Sequence, residues 1–184
     1  MFYGLSKPII AKRTVEAGVE KYSEGFQCGK AVGTSVTPNY SEASQYGDDQ
    51  LADYIKEFID ANVSVNTTTR PLEAGSTIFG HTVNKEEKSI EYGANDEANE
   101  VGYGFYAREI NDGVRTIVAC WMPNVKFAEG AESYSTKNGS ITFQTPTIEG
   151  KAGVDLIGNW KYKQTFETVE EAVAWLKGKA GITE

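Results

Sequence analysis

Reactive side chains are scarce in this chain of 184 residues, which carries one histidine and two cysteines. With no serine or cysteine assignable to His81, a nucleophile–base triad has nothing to be built from, and no catalytic residue is expected. His81 reads instead as a polar turn residue after Gly80. Cys28 and Cys120 lie far apart and match neither a metal-binding nor a redox spacing, so two reduced, buried or half-buried thiols are expected. Long apolar runs are also missing. None approaches the roughly 18 residues of a membrane-spanning helix. The opening MFYGLSKPII lacks a basic stretch followed by an apolar one, so no secretion leader is expected. The N-x-S/T matches at Asn39, Asn62, Asn66 and Asn138 then read as chance. Basic residues are in short supply: 18 Lys and Arg stand against 26 Asp and Glu, a net charge of −8. From Asp48 to Glu100 there are 12 acids and only 4 bases. A protein that grips a duplex has the opposite bias, because phosphate affinity comes from Lys and Arg. An acidic surface can instead keep nucleic acid off a wall.

The remaining chemical candidates fail on geometry. Asp48-Asp49 and Asp96-Glu97 are adjacent pairs, and neighbours on a strand point to opposite faces, so neither converges on one ion or substrate. No cofactor or metal is expected. Gly102-Tyr103-Gly104 with Ala107 grazes the dinucleotide fingerprint, which needs a helix after its strand. Here a hairpin follows, and the glycines are better read as places where an aromatic ring or another backbone comes close.

Alternating strands and turns fill most of the chain. In Gly102–Gly150, Asn111-Asp112-Gly113 and Asn138-Gly139 are strong hairpin turns, since these residues tolerate positive φ. The first 14 or so residues read as an extended arm, Val15–Phe26 as a β segment with a turn, and Lys30–Val36 as a strand. Residues 37–49 read as a long exposed polar loop. Leu51, Ile55, Phe58 and Ile59 fall at helical spacing, which predicts a helix over Gln50–Asp60. A second helix is expected within Thr67–Phe79, with Pro71 in its first turn and Gly80 as its stop. A further strand is expected at Ser89–Tyr92, and a strand pair around Gly158-Asn159. The last helix is the clearest, over about 168–178: Thr168 and Glu171 form a capping box, and Val169, Val173 and Leu176 form an apolar stripe with Trp175 beside it.

The chain is therefore expected to be one mainly β domain (α+β) spanning 1–184. Its 10 Tyr, 8 Phe and 3 Trp suit either subunit interfaces or ring-stacking on sugars. Assembly and glycan binding both stay open on composition.

Four collinear blocks narrow the choice: GKAVGTSVTPNYSEASQYGDDQLAD, SIEYGANDEANEVGYGFYAREINDGVRTIVACWMPNVKF, TKNGSITFQTPTIEG and TFETVEEAVAWLKGKAG. Together they resemble the phi13-type family of major tail proteins from long-tailed phages and prophages of Gram-positive bacteria. The resemblance runs from about residue 5 to residue 181. It implies a β-sandwich or partly closed barrel with a flanking helix near Thr69–Phe79 and a C-terminal helix, and it implies that Gln50–Asp60 is extended rather than helical. It implies a virion protein, not an enzyme, assembled in the host bacterial cytoplasm. Such subunits form rings, expected to be hexameric, that stack into a tail tube through which DNA passes as cargo. The implied partners are further copies of the chain and other tail proteins (tape measure, tail terminator, distal tail), with no membrane. The assembly candidates are Pro38, Asn39, Tyr40, Tyr46, Asp48, Asp49, Tyr103, Phe105 and Trp121. Asp53, Glu57, Asp96 and Glu97 are the acids expected to face the lumen, and Tyr103–Ile110 with Val114–Met122 the sheet expected to continue between subunits. The alternative is a glycan-binding or baseplate-associated β-sandwich of the same kind of tail.

Overall fold

Among the described residues, β-branched and aromatic residues alternating with polar ones give ten strands, with two short helices packed on them. The computed structural model describes residues 1–130, 132, 134, 136 and 145–182. In chain order the elements are β1 Phe2–Glu16, β2 Val19–Gln27, β3 Ala31–Gly47, β4 Gln50–Thr67, α1 Glu73–Thr77, β5 Thr82–Asn84, β6 Ser89–Glu91, β7 Glu100–Asn111, β8 Val114–Glu129, β9 Thr147–Gly153, β10 Tyr162–Phe166 and α2 Val169–Lys179. The fold is mainly β. One antiparallel sheet runs β2-β1-β7-β8-β9-β4-β3, with β10 also paired to β8, and β5–β6 form a separate ribbon.

β8 organises this sheet. Its first half, Ile117–Trp121, pairs with β10, and its second half, Asn124–Glu129, pairs with β9. The register against β7 shifts between Val101↔Val125 and Tyr103↔Met122, and Pro123 sits in the resulting bulge. Proline has no N–H for a ladder, so a bulge is where a central strand tolerates it. The shift also changes which parity faces the core, from Met122 to Val125 and Phe127.

The sheet folds back on itself into two layers. Val101, Tyr103, Val125 and Phe127 pack against Val63 and Val65 of β4 and Ile78 just after α1. The Tyr103 hydroxyl crosses the core to donate to Thr34 Oγ1 on β3 at 3.1 Å. On the opposite face α2 lies over Trp121, burying Ala172 and Leu176 completely, with Val169 and Val173 half-buried at its sides. Thr168 and Glu171 make the reciprocal capping box. The glycines of the false fingerprint provide the ring's slot. A methyl on Gly102 would lie 2.8 Å from Trp121 Cη2, and one on Gly104 would lie 2.6 Å from Trp121 Cε3. Arg13, only 9% exposed, pairs with Glu20 on β2 and Glu100 on β7 and so ties three strands together.

Several local expectations are corrected. Residues 1–14 are a strand inside the sheet, flanked by β2 and β7, rather than a free arm. Gln50–Asp60 belongs to β4, extended as the resemblance implies and not the helix that its spacing predicts. Its helical spacing comes from bulges: Leu51 and Phe58 share one face, Ile55 takes the other, and Ile59 is skipped by the ladder. The expected loop at 37–49 is strand as far as Gly47. The flanking helix is only Glu73–Thr77, because β4 runs on to Thr67 and Gly80 turns with φ +72°. Around Gly158-Asn159 there is a turn and not a strand pair, since β10 pairs with β8. The β7–β8 turn falls at Asp112-Gly113, both with positive φ. The turn at Asn138-Gly139 lies outside the described residues, and only the last four residues of its block, Thr147–Gly150, enter β9.

Gly102→Ala is expected to lower unfolding stability by about 1–3 kcal/mol through overpacking against Trp121. Leu176→Ala is expected to cost about 2–5 kcal/mol by leaving a cavity under α2. Chemical denaturation measures both, and a Gly102→Ala protein as stable as the parent would contradict the ring-in-slot packing.

Candidate functional site

β3 and β4 stay paired from Ala31↔Thr67 to Gly47↔Gln50, whereas the pairing of β4 with β9 stops at Ala61. From Tyr40 to Glu57 every residue whose exposure is described is open to solvent. The result is a projecting hairpin. Its base is fixed by Phe58, which stacks on Trp160 at 5.0 Å and takes the edge of Tyr40 at 6.1 Å. Its tip is the Asp48-Asp49 turn, with φ +50° and +60°. Two successive left-handed residues suit the twist of a hairpin, and Asp tolerates them better than most residues do.

Bulges between Asn39/Tyr40 and Gln45/Tyr46 set the two faces of this ribbon. The face continuous with the core carries the pairs Tyr40/Phe58, Glu42/Lys56, Ser44/Tyr54 and Tyr46/Leu51. The other face carries Ser41/Glu57, Ala43/Ile55 and Gln45/Asp53. Lys56 bonds Glu42 at 2.5 Å and lies 4.5 Å over the Tyr40 ring, a surface arrangement worth little in stability. Tyr46 is 70% exposed, Leu51 56% and Ile55 54%. A lone two-stranded ribbon is marginal in water, and exposed apolar side chains along a free strand edge mark a surface meant to be covered.

The expected site residues divide sharply. Tyr40, Tyr46, Asp48 and Asp49 lie on the hairpin, with Pro38 and Asn39 at its base. Asn39 donates to Asp60 at 2.6 Å, and Lys151 holds the other oxygen of that carboxylate at 2.6 Å. Tyr103 and Trp121 are core side chains, each 1% exposed, so neither reaches another subunit's surface. Nor can β7 and β8 continue a sheet between chains, since both edges of each are already paired. Among the described residues, the edges left open in the main sheet include those of β2, β3 and β10 and that of β4 over 50–60. Asp53 and Glu57 share one hairpin face. Asp96 and Glu97 lie elsewhere, in the loop after β6, where Asp96 accepts from His81 Nδ1 at 2.6 Å and from the Gly93 N–H at 2.8 Å. The His81 bond holds the Asp96 carboxyl below its usual range. His81 is more than a turn residue: its ring packs on Tyr92, and its other nitrogen faces Glu129 at 3.5 Å. Asp96 and Glu129 are 15 and 48 positions from His81, which no local pattern reveals.

A second feature escaped the sequence. Phe2, Tyr3, Val32, Val36, Phe105 and Val118 line an open groove of about 540 Å³ between the two layers, with Cys120 inside it and Lys161 and Lys163 among its lining residues. The one local signal is the i, i+2 lysine pair, which places both ammonium groups on one side of the chain. Among the described residues no group of three or more His, Cys, Asp or Glu can hold a metal. No helix among them is long and apolar enough to cross a membrane.

Between β9 and β10, Asp155 fixes the turn that carries Trp160. Its carboxylate accepts the Ile157 N–H at 3.0 Å, the Asn159 N–H at 2.7 Å and the Tyr162 hydroxyl. Burial pushes this carboxyl up, but these bonds outweigh it and hold it below the usual range. The folded state therefore favours the ionised form, and the stability gained is present at neutral pH and lost as pH falls below the ordinary carboxylate value. Asp155→Asn is expected to be about 1–3 kcal/mol less stable at pH 7, with the difference shrinking below about pH 4. Urea midpoints across that range measure it, and a constant difference at all pH values would contradict this role.

No protein-family description matches the chain, and no curated protein matches it.

Proposed function

We propose that this chain is a structural subunit that assembles with copies of itself through the β3–β4 hairpin, as the tail tube protein of a long-tailed phage. The observation that carries the proposal is the hairpin itself: residues 40–57 stand clear of the core with Tyr46, Leu51 and Ile55 unburied. Such a ribbon gains its second layer only from another chain. The outward face of β3, β4 and β9 around Ser35, Thr37, Asn62, Ser64 and Glu149 is polar, and Lys151, in register with Asn62 on it, is held by Asp60, which suits a wall that DNA slides past without adhering. The stacking of rings is a head-to-tail contact, and contacts of that kind build filaments when they do not close. Tape-measure, terminator and distal tail proteins would meet such a tube at its lumen and its ends.

Sugar stacking has less support. The faces of Trp160 and Tyr40 are covered by Lys161 at 4.4 Å and Lys56 at 4.5 Å, and Phe58 fills the remaining stack.

The test is electron microscopy and light scattering on the concentrated full chain beside a variant in which residues 45–53 are replaced by an Asn-Gly turn, which keeps the Ser44↔Tyr54 register. The parent is expected to form rings or tubes, and the shortened chain to stay monomeric with the same melting temperature. Equal assembly by both would overturn the role given to the hairpin.

A further inference from the structure

The hairpin tip and the groove are complementary, and we infer that the groove beside Lys161 and Lys163 receives the hairpin tip of a second copy of this chain. This rests on the self-assembly proposed above and identifies the surface that the hairpin meets. The tip presents the cross-strand apolar pair Tyr46 and Leu51 directly beside the carboxylates of Asp48 and Asp49. Residues 40–58 hold five acids and one base. Among the described residues Glu42 alone of those acids has a basic partner, Lys56. The groove has the opposite character. Among the described residues its lining is apolar apart from Thr34, Cys120 and the Tyr3 hydroxyl, and the charged ones are Lys161 and Lys163. Neither lysine has a carboxylate partner among the described residues: Lys161 rests over Trp160 and Lys163 over Phe2, at 4.4 and 4.7 Å. An apolar pair flanked by two carboxylates fits an apolar groove bearing two ammonium groups, and charge matching of this kind fixes the docked orientation.

The occupant cannot be the chain's own tip. Val36 lines the groove, and Gly47 lies eleven residues farther along the same continuously paired strand. That is roughly 36 Å at about 3.3 Å per residue. The ladder holds the tip away from its own groove, so each copy offers one tip and one groove, and the contact is heterologous.

Two sets of variants test this on the full chain. Lys161→Glu/Lys163→Glu and Asp48→Lys/Asp49→Lys are each expected to raise the concentration needed for assembly about tenfold or more. An equimolar mixture of the two is expected to recover co-assembly. Separately, Leu51→Cys treated with diamide is expected to give a disulfide to Cys120 of a neighbouring copy, identified by peptide mapping; Cys28 is buried and does not compete. If the parent assembles while the charge variants assemble equally well, or the cross-link joins Leu51→Cys to itself, the groove has another occupant and the inference is overturned, though self-assembly stands. If the parent forms no assembly and no cross-link at any concentration, both are overturned.

Discussion

The switch of partners along β8 is the constraint on which the rest of the structure depends. A strand has only two edges, and β7 occupies one of them from Val114 to Lys126 of β8. The other edge serves β10 up to Trp121 and β9 from Asn124 onward. The bulge at Pro123 separates the two because a residue without an N–H cannot continue the ladder. From there β9 leads to β4 and β4 to β3, so the longest hairpin is carried out on one limb of the sheet. The short β10 remains on the other limb, beside the open groove.

Packing then fixes each limb. Trp121 takes the slot left by Gly102 and Gly104 and receives Leu176 from α2, which locks the β7–β8 hairpin against the outer helix. Tyr103 crosses the core to Thr34 and holds the first half of β3 over the central strands. The Asp155 turn presents Trp160 to Phe58 at the hairpin's base. Beyond Phe58 the described residues of the ribbon, Tyr40 to Glu57, are open to solvent. The same strand is therefore a core element in its first half and a solvent-bathed lever in its second.

Turn chemistry and capping were legible in the sequence because they are local. Asp112-Gly113, the Thr168–Glu171 box and the close approach at the two glycines each depend on residues a few positions apart. Burial was not legible. Tyr103 and Trp121 look like interface aromatics until the sheet order shows both edges of their strands occupied. The hairpin was hidden for a different reason: bulges at Ile59 and Ala52 break the period-two alternation, and the apolar residues then fall at helix-like intervals. Asp53 and Glu57 were grouped with Asp96 and Glu97 by sequence distance, whereas the fold puts the two pairs on separate elements.

The central claim is that the β3–β4 hairpin is bare in the free chain and covered in the assembly. Hydrogen–deuterium exchange measured across residues 40–58, at low and at assembling concentration, tests it most directly. Exchange in this segment is expected to slow at least about tenfold on assembly, with little change in β7 and β8, which are already paired and buried. Assembly that left the 40–58 amides exchanging as fast as in the monomer would contradict it.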